Sequence, residues 1–406
     1  MGASSAVGLL ARRFLLSKTS DGFISLIAWV SVVGVTLGVL ALTVVTSVIN
    51  GFEGELVQNI TGMNGDIILY SRTDAISDPA QVELKIRKTA PEVTAITDSF
   101  VSELMISGPR SVAGAVLEGI DPVTIGAVTV IPRRLIAGKL PEDESEVTLT
   151  SVLADKLGAT VGSDVRLVIP SVGLGGESAS PKAVKVKVAG IVKMGMYEYD
   201  SKFAFVTLIA AQKMMEQPGK VTSFKLKLAP GAESRQISDH LANNFSYPFR
   251  AKDWGQLNKN LFYAIKLEKV VIAIILTVIV VVAAFNVVST LMMMIHDKTR
   301  EIAILKAMGF RKSQSFGLFC MIGLVMGAVG TLLGVILGLG VCRFIQKTQL
   351  ISLPSDIYYI SFLPVIVRWG EVGLIAFAAL LISFFATIYP GWKVARRSPL
   401  DGLRYE

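Results

Sequence analysis

The chain has 406 residues, of which 52% are hydrophobic, and its mean hydropathy is +0.57. This composition is too apolar for an ordinary soluble protein and too polar for membrane spans alone, so we expect membrane helices together with a folded domain. The net charge of +8 lies almost wholly outside the segment from Glu53 to Lys269. That large segment is nearly neutral, which argues against nucleic acid as its partner.

Four stretches contain no Asp, Glu, Lys or Arg, and each exceeds the roughly 20 apolar residues that a helix needs to cross a bilayer. Buried core helices would be shorter and would carry a charge every few turns, so we predict four transmembrane helices. The first stretch is too long for the apolar core of a signal peptide, and no small-x-small cleavage site follows it. In chain order the stretches are Gly22 to Phe52, Val270 to Ile295, Ser313 to Cys342 and Val372 to Trp392.

Basic side chains are concentrated at both termini and between the second and third spans. Residues 1–22, 296–313 and 390–406 together carry twelve basic and five acidic side chains. Because Lys and Arg are retained on the cytoplasmic side during insertion, we predict that both termini are cytoplasmic. The segment between the first and second spans is then exported.

The exported segment has the pattern of an α+β domain. A strand, helix, strand succession occurs near its start in "DIILYSR", "DPAQVELKIRKT" and "EVTAITDSFVSELMISG", and again near its end in "SFKLKLA", "GAESRQISDHLANNF" and "YPFRAKDW". Two such units flanking an insert predict a split ferredoxin-like module. The insert, from about Ser111 to Thr207, consists mostly of alternating strands and predicts a β-rich subdomain. The stretch "WGQLNKNLFYAIKLEK" that follows is typical of a helix that continues into the second span as a stalk.

The sequence contains no recognisable catalytic, metal-binding or nucleotide-binding motif. The only histidines, His240 and His296, fall on opposite sides of the predicted membrane, and both cysteines, Cys320 and Cys342, lie in the third span. No phosphate-binding loop occurs, and the cluster "GLGG" is not followed by a helix, so neither a nucleotide site nor a metal site is expected. We predict no catalytic residue, no metal and no cofactor on this chain, and energy supplied by a partner.

The stretch "TREIAILKAMGF" between the second and third spans predicts a helix of about ten residues. Thr299 suits the N-cap, Glu301 falls in the first turn, and Gly309 suits a left-handed residue at the end. Such a short helix is marginal by itself, so its apolar side chains need a cover.

Ile302, Leu305 and Met308 recur every third residue and form one small apolar stripe edged with charge. One interpretation is a helix on the inner leaflet, held near anionic lipid by Lys298, Arg300, Lys306, Arg311 and Lys312. The other is a coupling helix that binds in a groove of a separate ATPase. Composition alone leaves both open.

Several motifs then indicate a family. "KTREIAILKAMGFRKSQ" after a second span and "YPGWKVARRSPLDGLRYE" after a fourth resemble the MacB-type ABC permease superfamily. Within it, "GFISLIAWVSVVGVTLGVLALTVVTSVINGFEGEL", "GMYEYDSKFAFV" and "LPSDIYYISFLPV" resemble the lipoprotein-releasing permeases of the LolC/LolE family. The resemblance covers nearly the whole chain, and "NGFEGEL" is its most specific part.

The resemblance implies a membrane protein with four transmembrane helices and a large α+β periplasmic domain, made of porter and sabre parts, between the first two. The segments would be a cytoplasmic N-terminus (1–22), span one (23–50), the periplasmic domain (51–266), span two (267–295), the coupling helix (296–312), span three (313–346), a periplasmic loop (347–370), span four (371–390) and a cytoplasmic tail (391–406). Within the domain the porter would comprise 51–110 and 208–255, and the sabre 111–207.

The implied function is that of a permease subunit, not catalytic by itself, in a complex of the bacterial inner membrane. It would extract outer-membrane-destined lipoproteins and pass them to a periplasmic chaperone. The implied partners are two copies of a cytoplasmic ABC ATPase, which would bind ATP and Mg²⁺, a second permease, a triacylated lipoprotein, the chaperone and membrane lipid. Whether the second permease is identical or a paralogue stays open, as does the choice between a LolC-like and a LolE-like role.

The resemblance also implies site residues. Contacts with the ATPase are expected from Lys298, Arg300, Glu301, Ile302, Leu305, Met308 and Gly309. Contacts with lipoprotein are expected from Val44, Val48, Phe52, Leu261, Phe262 and Ile265, each of which could instead pack between helices or face lipid. A chaperone-binding loop is expected at Pro170, Val172, Leu174 and Pro181, where an ordinary flexible connection is the alternative. The stretch "MGMYEYDSK" is either a structural turn or a surface for a partner.

Small residues recur at helical spacing inside the spans, at Gly34 and Gly38, at Gly323 and Gly327, and at Gly330, Gly334 and Gly338. Such spacing lets helices approach closely, and we expect this packing within one chain. Asn286 is expected to bond to a neighbouring helix, with a cargo contact as the alternative.

Two other functions fit the same architecture. A MacB-like efflux permease is one, although its usual fused ATPase is missing here. An FtsX-like signalling permease that controls a periplasmic hydrolase is the other, although its external domain is generally smaller.

Overall fold

The computed structural model describes residues 22–169, 181–348 and 363–396, with side chains from residue 29 onward. The chain divides into a helical bundle, which begins before residue 54 and resumes after residue 263, and an α+β domain between them. This is the predicted fold class, a set of four membrane-spanning helices with a large domain between the first and the second.

The elements are numbered along the chain. The helices are α1 (Gly22–Asn64), α2 (Pro79–Thr89), α3 (Ile125–Val128), α4 (Ser151–Leu157), α5 (Tyr197–Asp200), α6 (Leu208–Met214), α7 (Ser234–Asn244), α8 (Trp254–Leu257), α9 (Lys259–Asp297), α10 (Thr299–Ala307), α11 (Lys312–Thr348) and α12 (Trp369–Arg396). The strands are β1 (Ile67–Ser71), β2 (Val93–Ser107), β3 (Val112–Ile120), β4 (Leu135–Gly138), β5 (Glu146–Thr150), β6 (Asp164–Ile169), β7 (Lys182–Val192), β8 (Phe203–Thr207), β9 (Ser223–Leu228) and β10 (Phe249–Asp253).

Glycines set the packing of the bundle. A Cβ atom on Gly334 of α11 would lie 2.7 Å from the Cβ of Val39 on α1, and one on Gly327 would lie 2.5 Å from the Cβ of Ser383 on α12. Glycine therefore lets α11 approach both neighbours more closely than any larger residue would. The predicted packing of glycines within one chain is confirmed for all seven positions, Gly34, Gly38, Gly323, Gly327, Gly330, Gly334 and Gly338.

Hydroxyl groups rather than the predicted amide link α1 to α9. Ser31 Oγ lies 3.1 Å from the backbone oxygen of Asn286, to which it can donate, and 2.5 Å from Thr290 Oγ1. The Asn286 side chain is exposed, and no hydrogen bond from its amide is found within the described residues. The Asn286 amide nitrogen lies beside α1, 3.7 Å from where a Cβ atom on Gly34 would be, but it forms no hydrogen bond among the described residues, so the prediction for this amide was wrong; Ser31 bonds to the main chain of Asn286 instead. Both cysteines, Cys320 and Cys342, are buried and free.

The outer strands of the domain form the predicted ferredoxin-like module. Strands β10, β1, β9 and β2 lie side by side in this order, and each pair is antiparallel. Helices α2 and α7 cover the sheet, because Ile86 and Leu241 share a core with Leu69 and Phe224. Helix α2 begins as predicted, with the Asp78 carboxylate accepting from the N–H of Gln81 at 3.2 Å.

The β-rich part is a closed barrel, which the sequence did not predict. Strand β2 pairs with β9 in its first half and with β3 and β6 in its second half, so the two parts of the domain share a strand. Neighbour pairing runs from β2 through β3, β8, β5, β7 and β6 and returns to β2. The predicted insert boundary at residue 111 therefore falls between two paired strands, because β2 belongs to both parts.

A short break interrupts the predicted stalk. Asp253 and Gln256 form a capping box that begins α8, and that helix ends before Asn258. The long helix begins only at Lys259 and then runs without interruption to Asp297. The stalk is thus five residues shorter than the stretch "WGQLN…" suggests, since the capping box starts a separate turn.

Candidate functional site

The short helix α10 ends as its sequence predicts. Gly309 has a φ of +97°, a left-handed conformation that glycine adopts without a steric penalty. The N–H of Gly309 donates to the oxygen of Lys306 at 3.1 Å, and that of Phe310 donates to the oxygen of Leu305 at 3.0 Å. These two bonds form a Schellman motif, which satisfies carbonyls at the end of a helix.

The start of α10 differs from the prediction. The residue at the N-cap is Lys298, and Thr299 is the first residue of the helix. The Thr299 hydroxyl donates back to the carbonyl oxygens of Ile295 and His296, at 2.8 and 2.7 Å, so it continues the end of α9 and does not cap α10. Lys298 Nζ lies 2.7 Å from the carboxylate of Glu301 and folds over the first turn.

The apolar residues of α10 do not form a single stripe. Ile302 is buried in the core of the bundle with Met294, Phe319 and Val394, and the adjacent Ala303 is buried as well. Leu305 is half-buried, whereas Met308 is 81% exposed. The prediction that Ile302 contacts a partner must be corrected, because its side chain joins α10 to the bundle.

The outward face of α10 instead carries Ile304, a residue that the sequence analysis missed. Ile304 is 45% exposed and precedes Met308 by four residues, so the two side chains lie on one face of the helix. Arg300 and Glu301 are exposed beside them. The sequence signal for Ile304 is its spacing of four residues from Met308. The sequence prediction used a spacing of three residues instead, which led to Ile302. This apolar spot edged with charge is the surface that we call the α10 outer face.

A lysine ties α10 to the last membrane helix. Lys306 Nζ lies 2.7 Å from the backbone oxygen of Val394 and 3.4 Å from that of Ala395. The last carbonyls of a helix lack partners within the helix and carry partial negative charge, so a lysine is a favourable donor there. Together with buried Ile302, this contact fixes α10 on the bundle.

The predicted cargo positions on α1 lie on a partly exposed face. Val44, Val48 and Phe52 follow one another at intervals of four residues and are all half-buried. The adjacent face of α1 is packed against the protein, because Thr43 and Ser47, which directly precede Val44 and Val48, are buried. The structure therefore leaves these three side chains accessible in part, and their contact with cargo stays a prediction.

The other cargo positions differ among themselves. Phe262 packs edge-to-face on Trp254 with ring centroids 4.8 Å apart, which gives it a structural partner within the domain. Leu261 lines a cavity of about 330 Å³ together with Met196 and Glu198. Ile265 is buried, with 7% of its surface exposed, so its side chain is not open to an acyl chain in this conformation.

The predicted chaperone loop joins two barrel strands. Strands β6 and β7 are antiparallel, and Ile169 at the end of β6 pairs with Lys182 at the start of β7. Pro170, Val172 and Leu174 lie outside the described residues, whereas Pro181 is described and exposed. Exposed basic side chains, Arg166, Lys182 and Lys185, flank the base of the loop.

The stretch "MGMYEYDSK" is a structural turn, one of the two predicted alternatives. The Asp200 carboxylate accepts from the N–H groups of Met194 and Gly195 at 2.7 and 2.9 Å, and burial raises its pKa. Tyr199 Oη accepts from the side-chain amide of Asn64 at 2.9 Å, and burial raises its pKa to about 12. Tyr197, by contrast, is half exposed.

Two family descriptions match the chain and together define its class. "MacB-like periplasmic core domain" matches residues 28–244, and "FtsX-like permease C-terminal" matches residues 273–399. The helical bundle and the ferredoxin-like and barrel domain are therefore those of a multi-pass membrane permease with a MacB-type periplasmic domain.

Comparison with individual proteins identifies the family within this class of permeases. A lipoprotein-releasing system transmembrane protein LolC of Xylella fastidiosa is 32% identical, and the match covers 99% of each chain. LolC of Neisseria meningitidis is 32% identical and covers 97% of this chain and 98% of its own. LolE of Haemophilus influenzae is 27% identical and covers 96% of this chain and 97% of its own. The chain belongs to the LolC/LolE family of lipoprotein-releasing permeases.

Proposed function

We propose that this chain is the permease subunit of an ATP-driven complex that extracts outer-membrane-destined lipoproteins from the inner membrane and passes them to a periplasmic chaperone. The observation that carries the proposal is the 32% identity to LolC proteins over nearly the full length of both chains. The complex would contain this chain, a second permease and two copies of an ABC ATPase that binds ATP and Mg²⁺.

The α10 outer face is the proposed ATPase contact. Its exposed Ile304 and Met308 supply apolar area, and Arg300 and Glu301 supply charges at the rim, as protein interfaces require. Because Ile302 and Lys306 fix the helix on the bundle, a push on the outer face moves the membrane helices rather than α10 alone. Lys298, Leu305 and Gly309 would complete the contact.

The proposed orientation places both termini and α10 in the cytoplasm and the α+β domain in the periplasm. The excess of Lys and Arg at the termini and around α10 supports this orientation. Helices α1 and α9 each contain residues of both the bundle and the domain, so they are the proposed path from ATP hydrolysis to the periplasm.

The cargo and chaperone contacts are proposed at separate places. In the bundle, Val44, Val48 and Phe52 supply partly exposed apolar side chains for acyl chains, and in the α+β domain Leu261 and Phe262 are the proposed positions for the same cargo. The loop that begins at Pro170 and ends at Pro181, with Val172 and Leu174 as its larger apolar groups, is the proposed contact with the chaperone.

Reconstitution tests the proposal. The permease pair and its ATPase are placed in liposomes with a triacylated lipoprotein, and the chaperone is added outside. We expect soluble lipoprotein bound to the chaperone after addition of ATP and Mg²⁺, and none with a non-hydrolysable ATP analogue. Hydrolysis of ATP without any soluble lipoprotein would refute the proposed function, and co-purification of an efflux adaptor or a cell-wall hydrolase would select one of the two alternatives.

A further inference from the structure

A cluster of polar side chains joins three membrane helices at one end of the bundle. Glu53 of α1 lies 2.6 Å from Lys269 of α9 and 3.5 Å from Arg368, which directly precedes α12. Lys269 Nζ also donates to the Asn50 side-chain oxygen at 3.1 Å, and the Asn50 amide donates to Glu371 in the first turn of α12. We call these five residues, Asn50, Glu53, Lys269, Arg368 and Glu371, the end cluster.

The end cluster differs from an ordinary surface ion pair. Two acidic and two basic side chains balance, so no net charge needs to be compensated. Asn50 is buried, and the side chains of Glu53 and Lys269 are 27% and 29% exposed. Single exposed pairs contribute little, whereas shared and partly buried charges couple in a network and depend on their geometry.

The backbone of α1 packs directly against the segment that precedes α12. A Cβ atom on Gly51 would lie 2.3 Å from the carbonyl oxygen of Pro364, so only glycine fits between Asn50 and Phe52. The N–H of Ile366 donates to the Ser47 oxygen of α1 at 2.9 Å. Asn50, Gly51 and Glu53, which belong to the stretch "NGFEGEL" of the family resemblance, thus contact this segment, α12 or Lys269.

The end cluster contacts α1 far from the end of the bundle that carries α10. Towards the α10 end of α9, α1 packs through Ser31 against Thr290, and at the middle of α9 it packs through Gly38, whose Cβ would lie 3.5 Å from Val280. Asn50 lies twelve residues beyond Gly38, or roughly 18 Å at 1.5 Å per residue. The end cluster therefore holds α1 against α9 far from the end that α10 moves.

We propose that Glu53 is a positioning residue that makes α1, α9 and α12 move as one body during the ATP-driven cycle; this inference rests on the proposed function. When the ATPase displaces α9 through α10, Glu53 passes the displacement to α1 and to the start of α12. Without its carboxylate, α9 moves past α1, and the α1 face with Val44 and Val48 no longer follows the stroke.

The primary test measures coupling in the reconstituted complex, as lipoprotein released per ATP hydrolysed. Glu53→Gln keeps the size of the side chain and removes its charge. We expect the ratio to fall more than twofold while the ATPase subunit still co-purifies and hydrolyses ATP. Lys269→Gln, which removes the positive charge, should reproduce this loss. Lys269→Arg, which keeps the charge, should leave the ratio as in the wild type. A purely space-filling role of Lys269 would not predict this difference between the two variants. A ratio within twofold of wild type for Glu53→Gln overturns the inference.

The matched control is Glu55→Gln, which changes a half-buried carboxylate two residues further along the chain. Glu55 has no ion pair among the residues described here, so its substitution should leave the ratio unchanged. A loss equal to that of Glu53→Gln would show that any charge change in this region is harmful, and would overturn the specific role of Glu53.

A second readout is independent of cargo. Spin labels at Ile49 and Leu267, introduced as cysteines in a chain with Cys320→Ala and Cys342→Ala, report the distance between α1 and α9. In the otherwise unchanged complex we expect this distance to stay the same when the ATPase is trapped with vanadate, and in Glu53→Gln we expect it to change. A complex without the Glu53 substitution that releases no lipoprotein refutes the proposed function alone, whereas the same distance change for this label pair with Glu53 and with Glu53→Gln refutes the role of Glu53.

Discussion

Lys306 Nζ lies 2.7 Å from the backbone oxygen of Val394, so the short helix α10 is bonded to the last turn of α12. The lysine therefore links the surface proposed to receive the ATPase to the fourth membrane helix. The sequence predicted only that Lys306 lies at the charged edge of the helix, next to either lipid or an ATPase.

We expect Lys306→Gln to loosen α10 without unfolding the bundle. A hydrogen bond to a charged donor contributes about 1.5–3 kcal/mol, and 1.4 kcal/mol corresponds to a factor of ten, so amide exchange in α10 should accelerate at least tenfold. Hydrogen exchange with mass spectrometry on the purified chain measures this. Lys312→Gln, at an exposed lysine on α11, is the control, and equal exchange in the two variants would contradict the anchoring role.

Gly334→Ala should destabilise the bundle. The added Cβ would lie 2.7 Å from Val39 and 2.8 Å from the Thr36 oxygen, so α1 and α11 must separate, at a cost of about 1–3 kcal/mol. Gly340→Ala on the same helix is the control, because nothing lies within 4 Å of its Cβ. Thermal unfolding in detergent compares the two, and an equal midpoint would show that the interface tolerates the methyl group.

The buried ion pair of Lys225 and Glu118 should be sensitive to loss of one partner. Their charged atoms lie 2.5 Å apart, Lys225 also donates to the Met63 oxygen of α1 at 3.0 Å, and Ser99 donates to Glu118 at 2.8 Å. Lys225→Met leaves the carboxylate buried without its cation, which costs about 3–5 kcal/mol.

Adding Glu118→Gln to Lys225→Met removes the unpaired charge, so the double variant should recover part of the lost stability. Denaturant unfolding of the domain in the full-length chain gives both values. If the double variant is as unstable as the single one, an unpaired carboxylate is not the cause of the loss.

The stability of the domain should depend on the charge of Asp98. Burial, with smaller contributions from Glu83 and Asp121, raises the pKa of Asp98 to about 6 from its ordinary value of 3.8. A raised carboxyl pKa favours the folded state fully below about pH 4, and this stabilisation is lost as pH rises through 6.

Asp98→Asn should therefore stabilise the chain at pH 7.5, by about 1 kcal/mol after allowance for solvent screening, and should have little effect at pH 4. Thermal unfolding at the two pH values measures the difference. Destabilisation at pH 7.5 would contradict the assignment.

The sequence predicted those features that depend on local pattern. Runs without charges located the four spans, and the twofold strand, helix, strand pattern located the ferredoxin-like module with α2 starting at Asp78. The left-handed Gly309 followed from its position after the helix. Each of these signals lies within a window of about one element.

The missed features depend on contacts between distant parts of the chain. The barrel closes through the pairing of Met105 with Val168, which no strand pattern specifies. In α10 apolar residues occur on more than one side, so the sequence could not decide that Ile302 faces the core and Ile304 faces outward. The ion pairs of Glu53 likewise involve Lys269 and Arg368, which are more than 200 residues away.

Site-specific photocrosslinking tests the central claim that the α10 outer face receives the ATPase. A benzoylphenylalanine at Met308 or Ile304 should crosslink to the ATPase subunit in membranes, whereas one at Leu337, an exposed position on α11, should not. Crosslinking from Leu337 alone, or from none of the three positions in a complex that hydrolyses ATP, would contradict the account.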